Sequence, residues 1–334
     1  MGRNTQDLYK LFNSFNEMNV LIIGDVMIDA YYWGKVDRIS PEAPVPIVSV
    51  NKKDARMGGA ANVALNIQAM GAKPILCSVI GSDEDGNEFL SLLKKNNQTK
   101  EGILKSDSRI TTKKTRIIGN NHQMLRIDAE DTKEINKKEE DDFYNLIQKI
   151  IQKSKIDVII FEDYDKGSIT KGLIKKVVKL AEENNIPTTV DPKKVNFMEY
   201  QSVSLFKPNL KELKEGLKVD FNHLNSNELT QTVQELESIL GNSKTLLTLS
   251  ESGVYINSNK ESHHISAHHR DITDVSGAGD TVISVASLCL AANQDLRMIA
   301  ELSNLAGGLV CENIGVVPIV KEKLLEEAKL ILTK

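Results

Sequence analysis

The sequence predicts an α/β class protein: a ribbon of alternating strands and helices folded into three layers, α/β/α, with a small β-sheet lid. Three observations predict it. Short apolar runs alternate with amphipathic stretches over most of the 334 residues, as expected of a sheet covered by helices on both faces. Two extended segments, about 31–50 and 109–128, fall outside that alternation. A glycine-rich turn at 276–281, SGAGDT, opens a long helical run over 281–292.

Taken in order, residues 1–18 place Leu8, Leu11, Phe12 and Phe15 at helical spacing and predict a short amphipathic helix. Residues 20–23 are a compact apolar run ending at Gly24 and Asp25, a buried strand that stops at a loop. The segment 31–50 alternates polar and apolar residues, and Pro41, Pro44 and Pro46 require an edge or interrupted strand there. GGAAN at 58–62 leads into a helix over 63–70, followed by a strand over 75–80 and a helix over 89–95. Residues 109–118 and 123–128 read as two strands joined by Gly119, Asn120 and Asn121, a hairpin signal. A polar stretch at 131–142 starts a helix that reaches residue 151. Beyond it come a strand at 158–161, a helix at 169–183, a strand at 188–190 ending in DPKK, and Leu205–Phe206 before PNLKEL. A helix at 228–240, a strand at 245–249, an extended piece at 271–275 and helices at 281–292 and 299–311 complete the pattern. No break suits a second domain, so the reading is one domain over 1–334, with 31–50 and 109–128 forming its lid.

Composition excludes several classes. Hydrophobic residues make up 40%, charged residues 26%, and the net charge is -4, which points to a soluble enzyme and gives no global attraction for nucleic acid. No stretch approaches the ~20 apolar residues that cross a bilayer, and no signal region opens the chain, so the expected compartment is the cytoplasm. Of three cysteines, Cys77 and Cys289 lie in apolar runs, and none has zinc-ligand spacing.

SGAGDT carries the sharpest chemistry. Gly277, Ala278 and Gly279 let backbone amides approach an anion at the start of a helix. A carboxylate at Asp280 beside that anion is wrong for a mere phosphate holder. It suits a base that accepts the proton of an attacking hydroxyl during phosphoryl transfer. His263, His264, His268 and His269 form a group without a fixed ligand pattern, and are placed at the surface or at the edge of a nucleotide site.

The order and separation of GDVMID at 24–29, GGAANVALN at 58–66, DPKK at 191–194, KPNLKEL at 207–213 and SGAGDT at 276–281 resemble the ribokinase-like (PfkB) carbohydrate kinases over about residues 19–330. DRISPEAPVPIVSV at 37–50, MLRID at 124–128 and DYDKG at 163–167 are most similar to the branch acting on D-glycero-β-D-manno-heptose 7-phosphate. Met57 stands where that branch has proline, Ser276 where threonine is usual, and Glu162 where serine is common.

The resemblance implies ATP and Mg2+, with a phosphorylated sugar under the lid. It makes Asp29 a ligand of sugar hydroxyls, with Gly58, Gly59 and Asn62 as the adjoining wall. A sugar phosphate also needs cations. Arg56, Lys113, Lys114, Arg116 and Arg126 flank the lid, strand alternation keeps them from sharing one face, and Arg56, Arg116 and Arg126 are the candidates. Asn209 and Glu212 become the NxxE element that organises magnesium through its water shell. Lys193 either offsets phosphate charge or anchors Asp191. Thr248, Ser250, Glu251 and Gly253 after a strand, with Asn304 and Gly307 on a late helix, are expected around the nucleotide.

The implied reaction is phosphorylation of the heptose 7-phosphate at its C1 hydroxyl by MgATP, with Asp280 as base, in synthesis of a lipopolysaccharide core precursor. A homodimer paired through lid edges is expected. Some relatives fuse the kinase to a nucleotidyltransferase; this chain ends at Lys334 without one, so a separate enzyme is expected for that step. The rivals are a kinase of another sugar or sugar phosphate and a non-catalytic sugar- or nucleotide-binding protein. An oxidoreductase is disfavoured because the first strand lacks GxGxxG.

Overall fold

The computed structural model describes residues 4–333, so residues 1–3 and 334 of the predicted domain lie outside the described ones. Its centre is a nine-stranded sheet. Seven strands run parallel: β1 (Asn19–Gly24), β4 (Lys73–Gly81), β5 (Gly102–Ser106), β8 (Val158–Glu162), β9 (Thr188–Asp191), β10 (Leu205–Phe206) and β11 (Lys244–Thr248). An antiparallel hairpin, β12 (Val254–Ser258) and β13 (Ser262–Ile265), finishes one edge, giving the order β13-β12-β11-β10-β9-β8-β1-β4-β5. The hairpin and β5 lacked a clear period in the sequence. Residues 271–275, expected to be extended, belong to no strand.

The central strands are apolar throughout because both faces are covered. Val20 and Ile22 of β1 join the core cluster packed by α1 (Thr5–Ser14), α2 (Ala60–Ala69), α3 (Glu84–Lys95), α8 (Ala278–Ala291), α9 (Leu296–Val310) and α10 (Lys321–Leu332). Leu21 and Ile23 point the other way, into the cluster formed with α4 (Lys137–Lys153), α5 (Lys171–Glu183), α6 (Leu210–Leu217) and α7 (Ser226–Leu240). All four of those β1 side chains are 0% exposed, a burial that stabilises by about 1.5–3 kcal/mol each.

A second sheet, β3-β2-β6-β7, is built from β2 (Val26–Ile39), β3 (Pro46–Gly59), β6 (Lys113–Gly119) and β7 (His122–Ala129). It is larger than the predicted segment 31–50, starting at Val26 and returning at Gly59, and residues 109–112 precede its third strand. The extra residues were hidden because the buried ends of β2 and β3 lack polar alternation. The β6–β7 turn uses Asn120 and Asn121, both with positive φ (50° and 66°), which matches the twist of a tight hairpin.

Asp25 joins the two sheets. Its carbonyl accepts from Ala60 N at 3.0 Å, closing the base of the β2–β3 hairpin. Gly59 has φ +61°, and a Cβ there would lie 2.5 Å from that same carbonyl, so the close approach requires glycine.

Candidate active site

The turn before α8 is shaped by Gly277, whose φ of +80° is left-handed and whose absent Cβ would lie 2.9 Å from Asn62 Nδ2. Ala278 N donates to Val275 O at 3.2 Å, so of the three predicted anion-binding amides that one is committed to the turn. Asp280 follows in the first turn of α8 and is buried. Asn62 Nδ2 donates to its Oδ2 and Tyr164 Oη to its Oδ1, both at 2.7 Å. Burial raises the Asp280 pKa, against the opposing hydrogen bonds from Asn62 and Tyr164. The result is a fixed, dehydrated carboxylate, suited to taking a proton.

Tyr164 reaches Asp280 because Asp25 ties down its loop. The Asp25 carboxylate accepts from the amides of Tyr164, Lys166 and Ser168, each at 3.0 Å. Sequence reading singled out DYDKG but gave neither Asp25 nor Tyr164 a role, since both act across more than 100 residues.

On the lid side, Asp29 pairs with Arg116 at 2.5 Å across the parallel β2–β6 ladder. Gly58 lies diagonally across on β3, where a Cβ would lie 2.1 Å from Asp29 Oδ2. The guanidinium carbons of Arg56 and Arg116 lie 5.1 and 5.2 Å from the centroid of the Tyr31 ring, so two cations converge on one aromatic residue. Arg56 also donates to Val316 O at 3.2 Å, linking the lid to the segment after α9. Arg126 is not gathered with them. It lies opposite Arg116 in the β6–β7 register, yet its Nε turns to Asp128 at 2.9 Å and its side chain is 51% exposed. Edge-strand position decides this, because β7 has no neighbour on its outer side.

Beneath Asp280 lie more charges than the sequence suggested. Asp191, at the end of β9, pairs with buried Lys207 at 2.8 Å and with Lys193 at 3.4 Å. Lys193 makes its shorter contact, 2.7 Å, with Glu212. Lys193 thus bridges Asp191 and Glu212. Burial opposes ionisation of Asp191, but Lys193 and Lys207 outweigh it and hold its pKa low. Glu162, the acidic departure noted in the sequence, ends β8 at 0% exposure. Burial, then Asp191 and Asp280, push its pKa well up.

A cavity of about 680 Å³ opens on the other side of the turn. Thr248, Ser250, Glu251, Gly253, Asn304 and Gly307 all line it, beside Ala278 and Gly279. His268 and His269 join its wall, whereas His263 pairs with Glu261 and His264 with Ser252 O. Asn209 forms a bridge to Thr248 at the cavity's edge. Asn209 and Glu212 make a reciprocal capping box on α6, with Asn209 N donating to Glu212 and Glu212 N to Asn209, each at 2.8 Å. Each Glu212 oxygen therefore accepts one protein donor and keeps capacity for a second from water, so the pair fits a hydrated magnesium ion at one remove.

Asp280 follows directly on the cavity-lining Ala278 and Gly279 and is tied to Asn62, just past the end of the second sheet's strand β3, a constellation in keeping with one family of phosphotransferases. The description "pfkB family carbohydrate kinase" matches residues 18–323, and the chain belongs to that family. It is closely related to part of the bifunctional HldE proteins. It is 38% identical over 311 residues to that of Desulfatibacillum aliphaticivorans, covering 93% of this chain and 63% of that one. Against the HldE protein of Helicobacter pylori strain J99 the identity is 37% over 297 residues, covering 89% and 63%. The chain thus spans somewhat less than two thirds of these relatives' length. Among solved structures, phosphofructokinase-2 from Escherichia coli in complex with potassium superposes with a TM-score of 0.77 at 15% identity, covering 94% of this chain and 99% of that one. Arabidopsis thaliana ribokinase complexed with ribose and ATP gives 0.71 at 15% identity, covering 92% and 99%. These confirm the ribokinase-like α/β/α fold. Among the described residues no helix is long and apolar enough to cross a membrane.

Proposed function

We propose that this protein transfers the γ-phosphoryl group of ATP to the C1 hydroxyl of D-glycero-β-D-manno-heptose 7-phosphate, giving the 1,7-bisphosphate and ADP. The observation that carries the reading is Asp280, buried, held by Asn62 and Tyr164, and placed directly after Ala278 and Gly279 in the wall of the 680 Å³ cavity. The nucleotide occupies the cavity and the sugar the space below Asp29. Asp280 Oδ takes the C1 hydroxyl proton, and the oxygen so freed attacks the phosphorus in line. Arg56 and Arg116 supply charge for the 7-phosphate, and a lid over the sugar keeps water from the reaction. Magnesium, held through water by Asn209 and Glu212, would neutralise the ATP phosphates.

The heptose itself is supported by the resemblance of the 37–50, 124–128 and 163–167 segments and by the convergence of two arginines on Tyr31. A cytoplasmic place in lipopolysaccharide-core precursor synthesis follows from that substrate, with a nucleotidyltransferase acting on the product. A lid-to-lid homodimer is supported by Met124, Leu125 and Ile127 on the edge strand, exposed by 43%, 56% and 52%.

The test is ADP formation with MgATP and the heptose 7-phosphate, beside unphosphorylated heptose, fructose 6-phosphate and ribose, for wild type and Asp280→Asn. Selective turnover of the heptose 7-phosphate, lost in the variant, is expected. Preference for another sugar overturns the substrate; binding without turnover of any sugar overturns the kinase.

A further inference from the structure

At the floor of the site a carboxylate is buried without a hydrogen-bond partner. Glu162 is 0% exposed, and among the described residues neither of its Oε atoms has a hydrogen-bond donor. An ionised carboxylate in that state costs several kcal/mol, so something must answer it. It is aimed at two more acids: one oxygen each of Glu162, Asp191 and Asp280 lies within 4.8 Å of the others. Those two are supplied with donors, Asp191 by Lys207 and Lys193, Asp280 by Asn62 and Tyr164. The lysines do not balance the charge. Lys193 is shared with Glu212, so two ammonium groups face four carboxylates.

We propose that Glu162, Asp191 and Asp280 form a binding site for one divalent cation of the magnesium or manganese class, filled without nucleotide. The donors are all hard carboxylate oxygens, with no imidazole or thiolate among them, a set that suits such ions. Oxygens on an octahedral ion of this size stand roughly 3–4 Å apart, so small side-chain rotations close the present spacing. Three strand and helix ends supply the ligands: β8, β9 and the first turn of α8. The site is distinct from the Asn209–Glu212 position, from which Lys193 separates it by bridging Glu212 and Asp191. It does not depend on which sugar the protein uses, nor on catalysis.

The experiment titrates the full chain, free of nucleotide, with Mn2+ alone and reads unbound Mn2+ by electron paramagnetic resonance. One equivalent bound, displaced by Mg2+, is expected for wild type. Glu162→Ser and the isosteric Glu162→Gln weaken it at least tenfold, while Glu212→Gln retains it. Melting curves without metal establish that each variant is folded, and wild type but not the Glu162 variants gains stability on adding Mn2+. No bound ion in wild type overturns the proposal and leaves Glu162 to be neutralised by a proton. Equal binding by the Glu162 variants, or loss confined to Glu212→Gln, overturns it by placing the ion elsewhere.

Discussion

Tyr164 donates its hydroxyl hydrogen to Asp280 Oδ1 at 2.7 Å, across 116 residues of chain. With Asn62 on the other oxygen, it fixes the carboxylate in one orientation. Tyr164→Phe removes that bond without changing the ring. A hydrogen bond to a charged group contributes about 1.5–3 kcal/mol, so kcat is expected to fall roughly 10- to 100-fold. The sugar KM should move by less than threefold, because Tyr164 acts through Asp280. Steady-state kinetics separates the two; an unchanged kcat removes the positioning role.

Asp280→Asn keeps the shape but turns one acceptor oxygen into an NH2, so one of its two donor neighbours must reorient, and it cannot take a proton. We expect kcat to fall by about 10²–10⁴ with nucleotide affinity retained. Calorimetric binding of an ATP analogue beside the turnover assay checks both halves.

Arg116 serves Asp29 and the proposed substrate phosphate together. Arg116→Gln should raise KM for the phosphorylated sugar about 10- to 100-fold and leave any weak turnover of the unphosphorylated sugar less affected. It also strips Asp29 of its ion pair, a loss of about 3–5 kcal/mol where the remaining charge stays buried. A lower melting temperature with no change in phosphate discrimination would mean that the pair is structural only.

Gly307 lines the proposed nucleotide cavity, and a Cβ there would lie 2.7 Å from Val282 Cγ2. Gly307→Val is therefore expected to raise KM for ATP by at least tenfold while sugar binding persists. Competition with ADP distinguishes a blocked cavity from general unfolding.

Away from the site, Glu140 clamps α4 to the start of α5. It accepts from Thr170 Oγ1 at 2.6 Å, Lys137 Nζ at 2.8 Å and Lys176 Nζ at 3.0 Å. Burial opposes its ionisation, but those three donors outweigh it and hold the pKa below the ordinary 4.5. Because the folded-state pKa is depressed, the stabilisation is complete above about pH 4.5 and disappears as pH falls through the lower folded value. Glu140→Gln should cost about 1–3 kcal/mol at pH 7 by urea denaturation. The difference from wild type should shrink below pH 4.5; a gap constant with pH would contradict the charge argument.

Much of this was legible beforehand for a local reason. Buried parallel strands read as apolar runs and their helices as amphipathic ones, so the core order emerged from periodicity. SGAGDT carries its chemistry within six consecutive residues, and Thr248, Ser250, Glu251 and Gly253 follow a strand end that periodicity locates, whereas Asn304 and Gly307, inside α9, were reached only through the family resemblance. The lid's extent was less clear, since β2 and β3 begin and end inside the core, where alternation vanishes. The NxxE pair has helix-cap spacing, and the structure uses it as a cap.

The sequence by itself determined the fold class and the family, and pointed to Asp280 as the candidate base. Tertiary structure decided which charges meet. It brought Arg56 and Arg116 to Tyr31 but left Arg126 at an edge, joined Tyr164 to Asp280, and set Glu162 against Asp191 and Asp280. The reason is physical. Backbone period and turn chemistry act over a few residues, whereas the energy of a charge depends on neighbours from any part of the chain and on how much water they exclude.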